Sequence, residues 1–151
     1  MRTLQLLALD TSTEWMSVAV GRGHEGGAMQ VWSDHAAGGA QASARLIPMI
    51  RELMQQAGLG FADLDAIVFG KGPGAFTGLR TACAVAQGLA LGARAGTALP
   101  VLPFDSLMAV AEQARLLHAP AQQPWDVLAM LDARMDEVYA GSYRWDGLQW
   151  Q

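Results

Sequence analysis

A single cysteine, Cys83, occurs in the chain, so no internal disulfide can form and stability has to come from packing. Basic residues are scarce as well: 10 Lys and Arg stand against 14 Asp and Glu, a net charge of −4. That balance lacks the basic stripe of a stand-alone nucleic-acid binder, so any RNA contact would fall to a partner. No apolar run reaches membrane-spanning length and no N-terminal signal pattern is present, which makes a cytoplasmic protein without membrane contact the expectation. His24, His35 and His118 are scattered in turns without ligand spacing, so no metal site is expected.

What the chain has in abundance is apolar surface. At 151 residues it can bury one full core, or one domain plus a fragment of a second. Its hydrophobic share of 52% against 16% charged residues is high enough to call for a covered partner surface beyond that core.

Leu4 to Leu9 is a compact apolar run ending at Asp10, and the polar turn Asp10-Thr-Ser-Thr-Glu14 follows. Trp15 to Val20 alternates as a half-buried strand, with Met16, Val18 and Val20 on one face. A glycine-rich turn leads into Ala28 to Ser33, completing an antiparallel meander. From Ser43, an N-cap by residue type, Leu46, Ile50, Leu53, Met54 and Ala57 fall at helical spacing until Gly58. Pro48 is tolerable only near a first turn, so a late start or a bend is expected there. Ile47 and Met49 lie off the main apolar line and widen the stripe. A strand at Ala66 to Phe69, a helix after it, a strand around Val101 and a helix over Ser106 to Leu117 follow.

The expected fold is therefore α/β: a three-stranded meander, then alternating helices and strands, the ribonuclease-H-like or actin-like ATPase arrangement. Residues 1–118 form this unit. A linker over His118 to Pro124 leads into strands at Val127 to Leu131 and Glu137 to Trp145 with a short return at Leu148 to Trp150, so 119–151 reads as an incomplete second domain of the same kind.

The stretch with most character is Gly70 to Gly92, GKGPGAFTGLRTACAVAQGLALG, a glycine-rich loop entering an apolar helix. Strand, loop and helix N-terminus in that order present backbone N–H groups to an anion. The loop nevertheless lacks P-loop and dinucleotide spacing, and a tight turn at Gly72 and Gly74 is the preferred reading. Asp10, Thr11 and Ser12 occupy the turn that actin-like ATPases place around phosphate and metal, with Ser12 where a glycine is needed. With Gly72, Gly74 and Arg80 they form a degenerate nucleotide-binding set. Arg80, a cation in a first helical turn, calls for an acidic or phosphate partner. Along the helix Gly78, Ala82, Ala86 and Ala90 recur every fourth residue, a smooth ridge that another helix could approach, flanked by Leu79, Cys83 and Leu89. Packing within the domain explains that ridge equally well. Cys83 reads as a small buried hydrophobe, and no catalytic residue is expected.

Five stretches, LLALDTST (Leu6 to Thr13), SVAV (Ser17 to Val20), SARLIPMI (Ser43 to Ile50), DLDAIVFGKGPGAFTGLR (Asp63 to Arg80) and LDARMDEVYAGSY (Leu131 to Tyr143), resemble the TsaB (YeaZ) family. That family supplies the dimerisation subunit of the bacterial machinery that puts threonylcarbamoyl on tRNA adenosine. The resemblance implies two actin-like domains and a subunit that is not itself the transferase. Its implied partners are a TsaD-like transferase, a TsaE-like ATPase, a second copy in their absence, and tRNA only through the complex. The chain alone would bind no cofactor, with ATP or ADP and Mg²⁺ entering only in the assembly. The implied interface maps onto the two apolar helices, at Leu46, Met49, Ile50 and Leu53, and at Gly78, Leu79, Ala82, Cys83, Ala86, Leu89 and Ala90. Two positions depart from the family pattern: Ala42, where histidine is frequent, and Ala75, where serine is usual. The residues alone leave two other readings, a sugar-kinase-like ATP-binding enzyme using Asp10 and the Gly72 loop, and an RNA-binding module that the charge disfavours. A peptidase is excluded by the lack of a metal-binding histidine pair or a nucleophile arrangement.

Overall fold

A computed structural model describes residues 2–24, 26–118 and 123–151. Strands β1 (Thr3–Asp10), β2 (Trp15–His24) and β3 (Met29–Ala37) form the meander, helix α1 (Ala42–Gln56) crosses to β4 (Ala66–Gly70), and α2 (Phe76–Gly92) crosses to β5 (Val101–Phe104). Helix α3 (Ser106–His118) then leads to a separate hairpin of β6 (Trp125–Arg134) and β7 (Glu137–Trp145). The main sheet is five-stranded in the order β3-β2-β1-β4-β5. β1 and β2 pair antiparallel with Leu7 opposite Val20, while β1–β4 and β4–β5 are parallel. A meander continued by parallel strands, each entered from a helix, is the ribonuclease-H-like order read from the sequence. The linker expected over His118 to Pro124 falls largely on residues 119–122, which lie outside the described residues.

The inward face of the meander carries the core. Leu7, Leu9, Met16, Val18 and Val20 are buried against Leu46, Ile50 and Leu53 of α1 and Ala82, Ala86 and Ala90 of α2. Each large aliphatic side chain in that layer contributes about 1.5–3 kcal/mol by leaving water. Helix α3 lies on the other side of the sheet, where Ala8, Ser17 and Ala19 share a cleft with Ala109, Val110 and Gln113. A second, smaller core joins Leu107 and Ala111 of α3 to Ala129 of β6.

Several boundaries differ from expectation. α1 begins at Ala42, after a short turn over Gly39–Gln41, so Ser43 is an exposed residue inside the helix rather than its cap. Pro48 sits in the helix interior and on its exposed face, where the carbonyl left without an amide partner can meet water. The end is as read: Gly58 adopts φ 64°, its N–H donates to the Gln55 carbonyl at 3.0 Å, and Leu59 N–H donates to Met54 at 2.9 Å. That pair of bonds satisfies two last-turn carbonyls and stops the helix. The cap of α3 is Asp105, whose Oδ1 accepts the Leu107 N–H at 2.9 Å and the Met108 N–H at 3.2 Å. The β6–β7 tip is built from three consecutive left-handed residues, Arg134, Met135 and Asp136, at φ 66°, 55° and 61°.

Asp65 ties the start of β1 to the start of β4. Its Oδ2 accepts the Gln5 N–H at 2.9 Å and its Oδ1 accepts from Arg2. The Gln5 amide, helped by Arg2, holds the carboxyl below its ordinary value. Because the folded form prefers the carboxylate, this stabilisation is present above about pH 4 and is lost as pH falls through the lower folded value. Urea midpoints measured from pH 6 to pH 2 should therefore fall more steeply for the native chain than for Asp65→Asn; equal slopes would remove Asp65 from the acid response.

Candidate functional site

Two regions answer to the residues singled out above, the Asp10 turn with its glycine loop and the surface of the two apolar helices.

The Asp10 carboxylate is fully engaged by its own chain. Oδ1 accepts from Ser12 N at 2.7 Å and from the Ser12 hydroxyl, and Oδ2 accepts the Ser106 hydroxyl at 2.8 Å. The glycine loop lies directly on this turn, with Ala75 N–H donating to the Ser12 carbonyl at 2.6 Å and Ser106 N–H to Gly72 at 2.9 Å. Gly70 is required because a Cβ there would stand 1.8 Å from Asp10 Oδ2. A Cβ at Gly74 would stand 2.3 Å from the Ser12 carbonyl. Loop and turn are thus packed backbone to backbone, with the Ser12 side chain 3% exposed between them. Between turn and loop there is no room for a phosphate to nest on backbone N–H groups, because Ser12 stands where close approach needs a glycine. Thr11 belongs to the same joint, its hydroxyl donating to the Gly78 carbonyl at 2.6 Å.

Beside this joint a cleft of about 670 Å³ opens between the free sheet face and α3, with Asp10, Ser17, Ser106 and Gln113 on its walls. Trp15 and His35 stand at its rim, ring edge to face at 5.9 Å, a pairing set by the β2–β3 register and invisible in spacing along the chain. Among the described residues no group of three His, Cys, Asp or Glu could hold a metal ion. The Ser106 hydroxyl donates to Asp10 Oδ2 and not to a histidine.

The helix surface requires a correction. Gly78, Ala82, Ala86 and Ala90, expected as a partner ridge, are the buried side of α2 and face the chain's own sheet. Leu46, Met49, Ile50 and Leu53 are likewise the buried side of α1, and Met49, read as off the apolar line, is 8% exposed within the core. Small residues are needed there because the first turn of α2 touches the backbone of Thr11, which a Cβ at Gly78 would approach to 1.8 Å. Leu79, Cys83 and Leu89 are half-buried flanks.

The opposite, outward faces of the same helices remain uncovered. On α2 they carry Phe76 at 67% exposure, Arg80, Ala84, Gly88 and Leu91 at 72%. On α1 they carry Ala44, Ile47 at 41% exposure, Pro48 and Arg51. The Arg80 guanidinium lies over the Phe76 ring, 3.9 Å from the centroid. It therefore belongs to this outward strip and not to the Asp10 turn. An exposed cation–π pair contributes about 0.5–1 kcal/mol and becomes worth more once desolvated. The strip alternates an aromatic–arginine anchor with the shallow run Ala84 and Gly88, where a second helix can come close.

A family model described as "TsaD: tRNA N6-adenosine threonylcarbamoyltransferase" matches residues 38–150. The chain is 46% identical over 142 residues to the tRNA threonylcarbamoyladenosine biosynthesis protein TsaB of Haemophilus influenzae, covering 92% of the chain and 53% of that protein. To the TsaB of Escherichia coli it is 34% identical over 149 residues, covering 95% and 56%. Among solved structures, YeaZ from Pseudomonas aeruginosa superposes with a TM-score of 0.81 at 42% identity over 98% of the chain and 63% of its own length. The chain thus spans about half the length of the curated relatives it matches.

Proposed function

The chain belongs to the TsaB (YeaZ) family, within the wider family whose model it matches, and we propose that it serves tRNA threonylcarbamoyladenosine biosynthesis as a non-catalytic dimerisation and scaffold subunit. In this reading the outward strips of α1 and α2 pack against the equivalent helix pair of a TsaD-like transferase, or of a second copy when the transferase is absent. A TsaE-like ATPase joins the pair, tRNA is met through the complex, and the work is done in the cytoplasm. The β6–β7 hairpin is the opening of a second actin-like unit. ATP or ADP with Mg²⁺ enters only at the level of the assembly.

The observation that carries the reading is the pair Phe76 and Arg80, pre-stacked and exposed at the head of a helix whose following outward residues are alanine and glycine. Aromatic and arginine side chains dominate binding energy at interface centres, and a pair already in its stacked geometry loses less freedom on docking. The closed Asp10 turn supports the non-catalytic part, since it leaves the chain's best-placed carboxylate bonded to its own serines.

Immobilised chain should retain a TsaD-type transferase subunit from solution, and Phe76→Ala should weaken that retention by about tenfold or more while leaving the circular dichroism spectrum intact. Undiminished retention by Phe76→Ala, or no retention by the native chain, would sink the reading.

A further inference from the structure

A second concavity lies between α3 and the C-terminal end of the hairpin, next to the first cleft, with which it shares Phe104 and Ala109. It is a groove of about 260 Å³ whose walls are Phe104, Trp145 and Trp150, with Asp105 and Glu112 at its sides. The two indoles stand 5.6 Å apart, centroid to centroid, with their planes inclined at 61°, so they form two walls of a corner rather than a flat stack. Trp150 is fixed by its Nε1–H donating to Glu112 Oε2 at 2.9 Å, and by the edge contact it makes with Tyr143 at 6.3 Å. The return strand that carries it is held by paired bonds between Arg144 and Gln151, at 3.1 and 2.8 Å.

The charged side chains that line the groove are acidic: Asp105 and Glu112 line it and, among the described residues, no cation does. Arg115 bonds Glu112 through both nitrogens at 2.7 Å and lies over a face of the Trp145 ring at 4.2 Å, yet is not part of the lining. Two carboxylates against one guanidinium leave one negative charge beside three aromatic rings. The hydrogen bonds from Arg115 also hold the Glu112 carboxyl below its ordinary value, so Glu112 stays ionised beside the rings.

We propose that this groove binds the head group of a small quaternary alkylammonium. Aromatic walls offer negative ring faces to a diffuse cation, and the carboxylates add long-range attraction without a strongly hydrated point charge having to be stripped. A primary ammonium is disfavoured because it has three N–H donors to satisfy and the lining carboxylates offer it one unengaged oxygen, Asp105 Oδ2: Asp105 Oδ1 already receives Leu107 N–H, Met108 N–H and the Tyr143 hydroxyl, and both Glu112 oxygens are taken.

The test is a titration of the ¹⁵N-labelled full chain with choline chloride, followed at the indole N–H signals of Trp145 and Trp150. Saturable shifts at both indoles are expected, with 3,3-dimethylbutanol, the uncharged isostere, at least about tenfold weaker. Asp105→Asn keeps the helix cap and removes one charge, and should weaken choline several-fold without altering the hairpin amides. Trp150→Phe keeps a ring in place and should retain binding, whereas Trp150→Ala should lose it. Absence of saturable shifts, or equal affinity for choline and its neutral isostere, would overturn the assignment. A peptide carrying trimethyllysine that binds about tenfold tighter than choline would also overturn it, by transferring the head group to a protein ligand.

Discussion

Replacing Gly78 by alanine should destabilise the chain by roughly 3 kcal/mol, the upper end of what overpacking a tight joint costs. The added Cβ would meet the Thr11 carbonyl oxygen at 1.8 Å, and that oxygen is backbone at the end of β1, not a side chain able to swing away. Two bonds resist separation of the pieces, Thr11 Oγ1–H to the Gly78 carbonyl and Ala75 N–H to the Ser12 carbonyl, both 2.6 Å. Relief would require α2 to lift from the sheet over its whole length, opening space beneath Ala82, Ala86 and Ala90, which are at most 3% exposed. Against a total stability of about 5–15 kcal/mol such a loss is large enough to read directly in urea unfolding. A change below about 1 kcal/mol would mean that the small-residue ridge is not seated on the β1 turn as described.

Gly88→Leu, ten residues further along the same helix, should do the reverse to the fold and the opposite to assembly. A Cβ at Gly88 meets no atom within 4 Å, and glycine inside a helix costs about 1 kcal/mol relative to alanine, so the isolated chain should gain stability. On the outward strip, however, the proposed partner helix would pack at roughly 8–10 Å between axes, and a leucine in its way should weaken association by about 100-fold. Sedimentation velocity of the chain alone and co-purification with a TsaD-type subunit both read this effect. A raised thermal midpoint with unchanged association would place the partner surface elsewhere. The two glycines thus separate what a single helix does: Gly78 faces the sheet, Gly88 faces solvent, and the sign of the stability change reports which is which.

Element type and order were legible because they depend on local periodicity. Met16, Val18 and Val20 alternate as a strand must, and Leu46, Ile50, Leu53 and Met54 recur at helical spacing, so the meander and both crossover helices followed from pattern. Gly58 was legible as a helix end because only a residue free of Cβ adopts that conformation readily. The exception is α2, made almost entirely of small or apolar residues apart from Thr77, Arg80, Thr81 and Gln87. Where a helix has almost no polar stripe, periodicity no longer says which side is inside. The ridge Gly78, Ala82, Ala86, Ala90 and the outward run Ala84, Gly88 look alike in composition, and only the position of Thr11 under the first turn distinguishes them. Arg80 shows what dipole arguments leave out: they ask for an anion, while Phe76 four residues earlier also supplies a ring face at the (i, i+4) distance.

The sequence by itself determined the family, the strand and helix order and the glycine loop, since each is written in residues close together along the chain. Only the tertiary structure decided the use of that loop. The bond from Ser106 to Asp10 spans 96 residues, and it ties the turn after β1 to the start of α3. It also decided that the exposed strip of α2 starts with Phe76 and Arg80, while Gly78 faces the chain's own sheet. The reason in both cases is that burial and bond partners are properties of what folds against a residue, which spacing along one strand or helix does not contain.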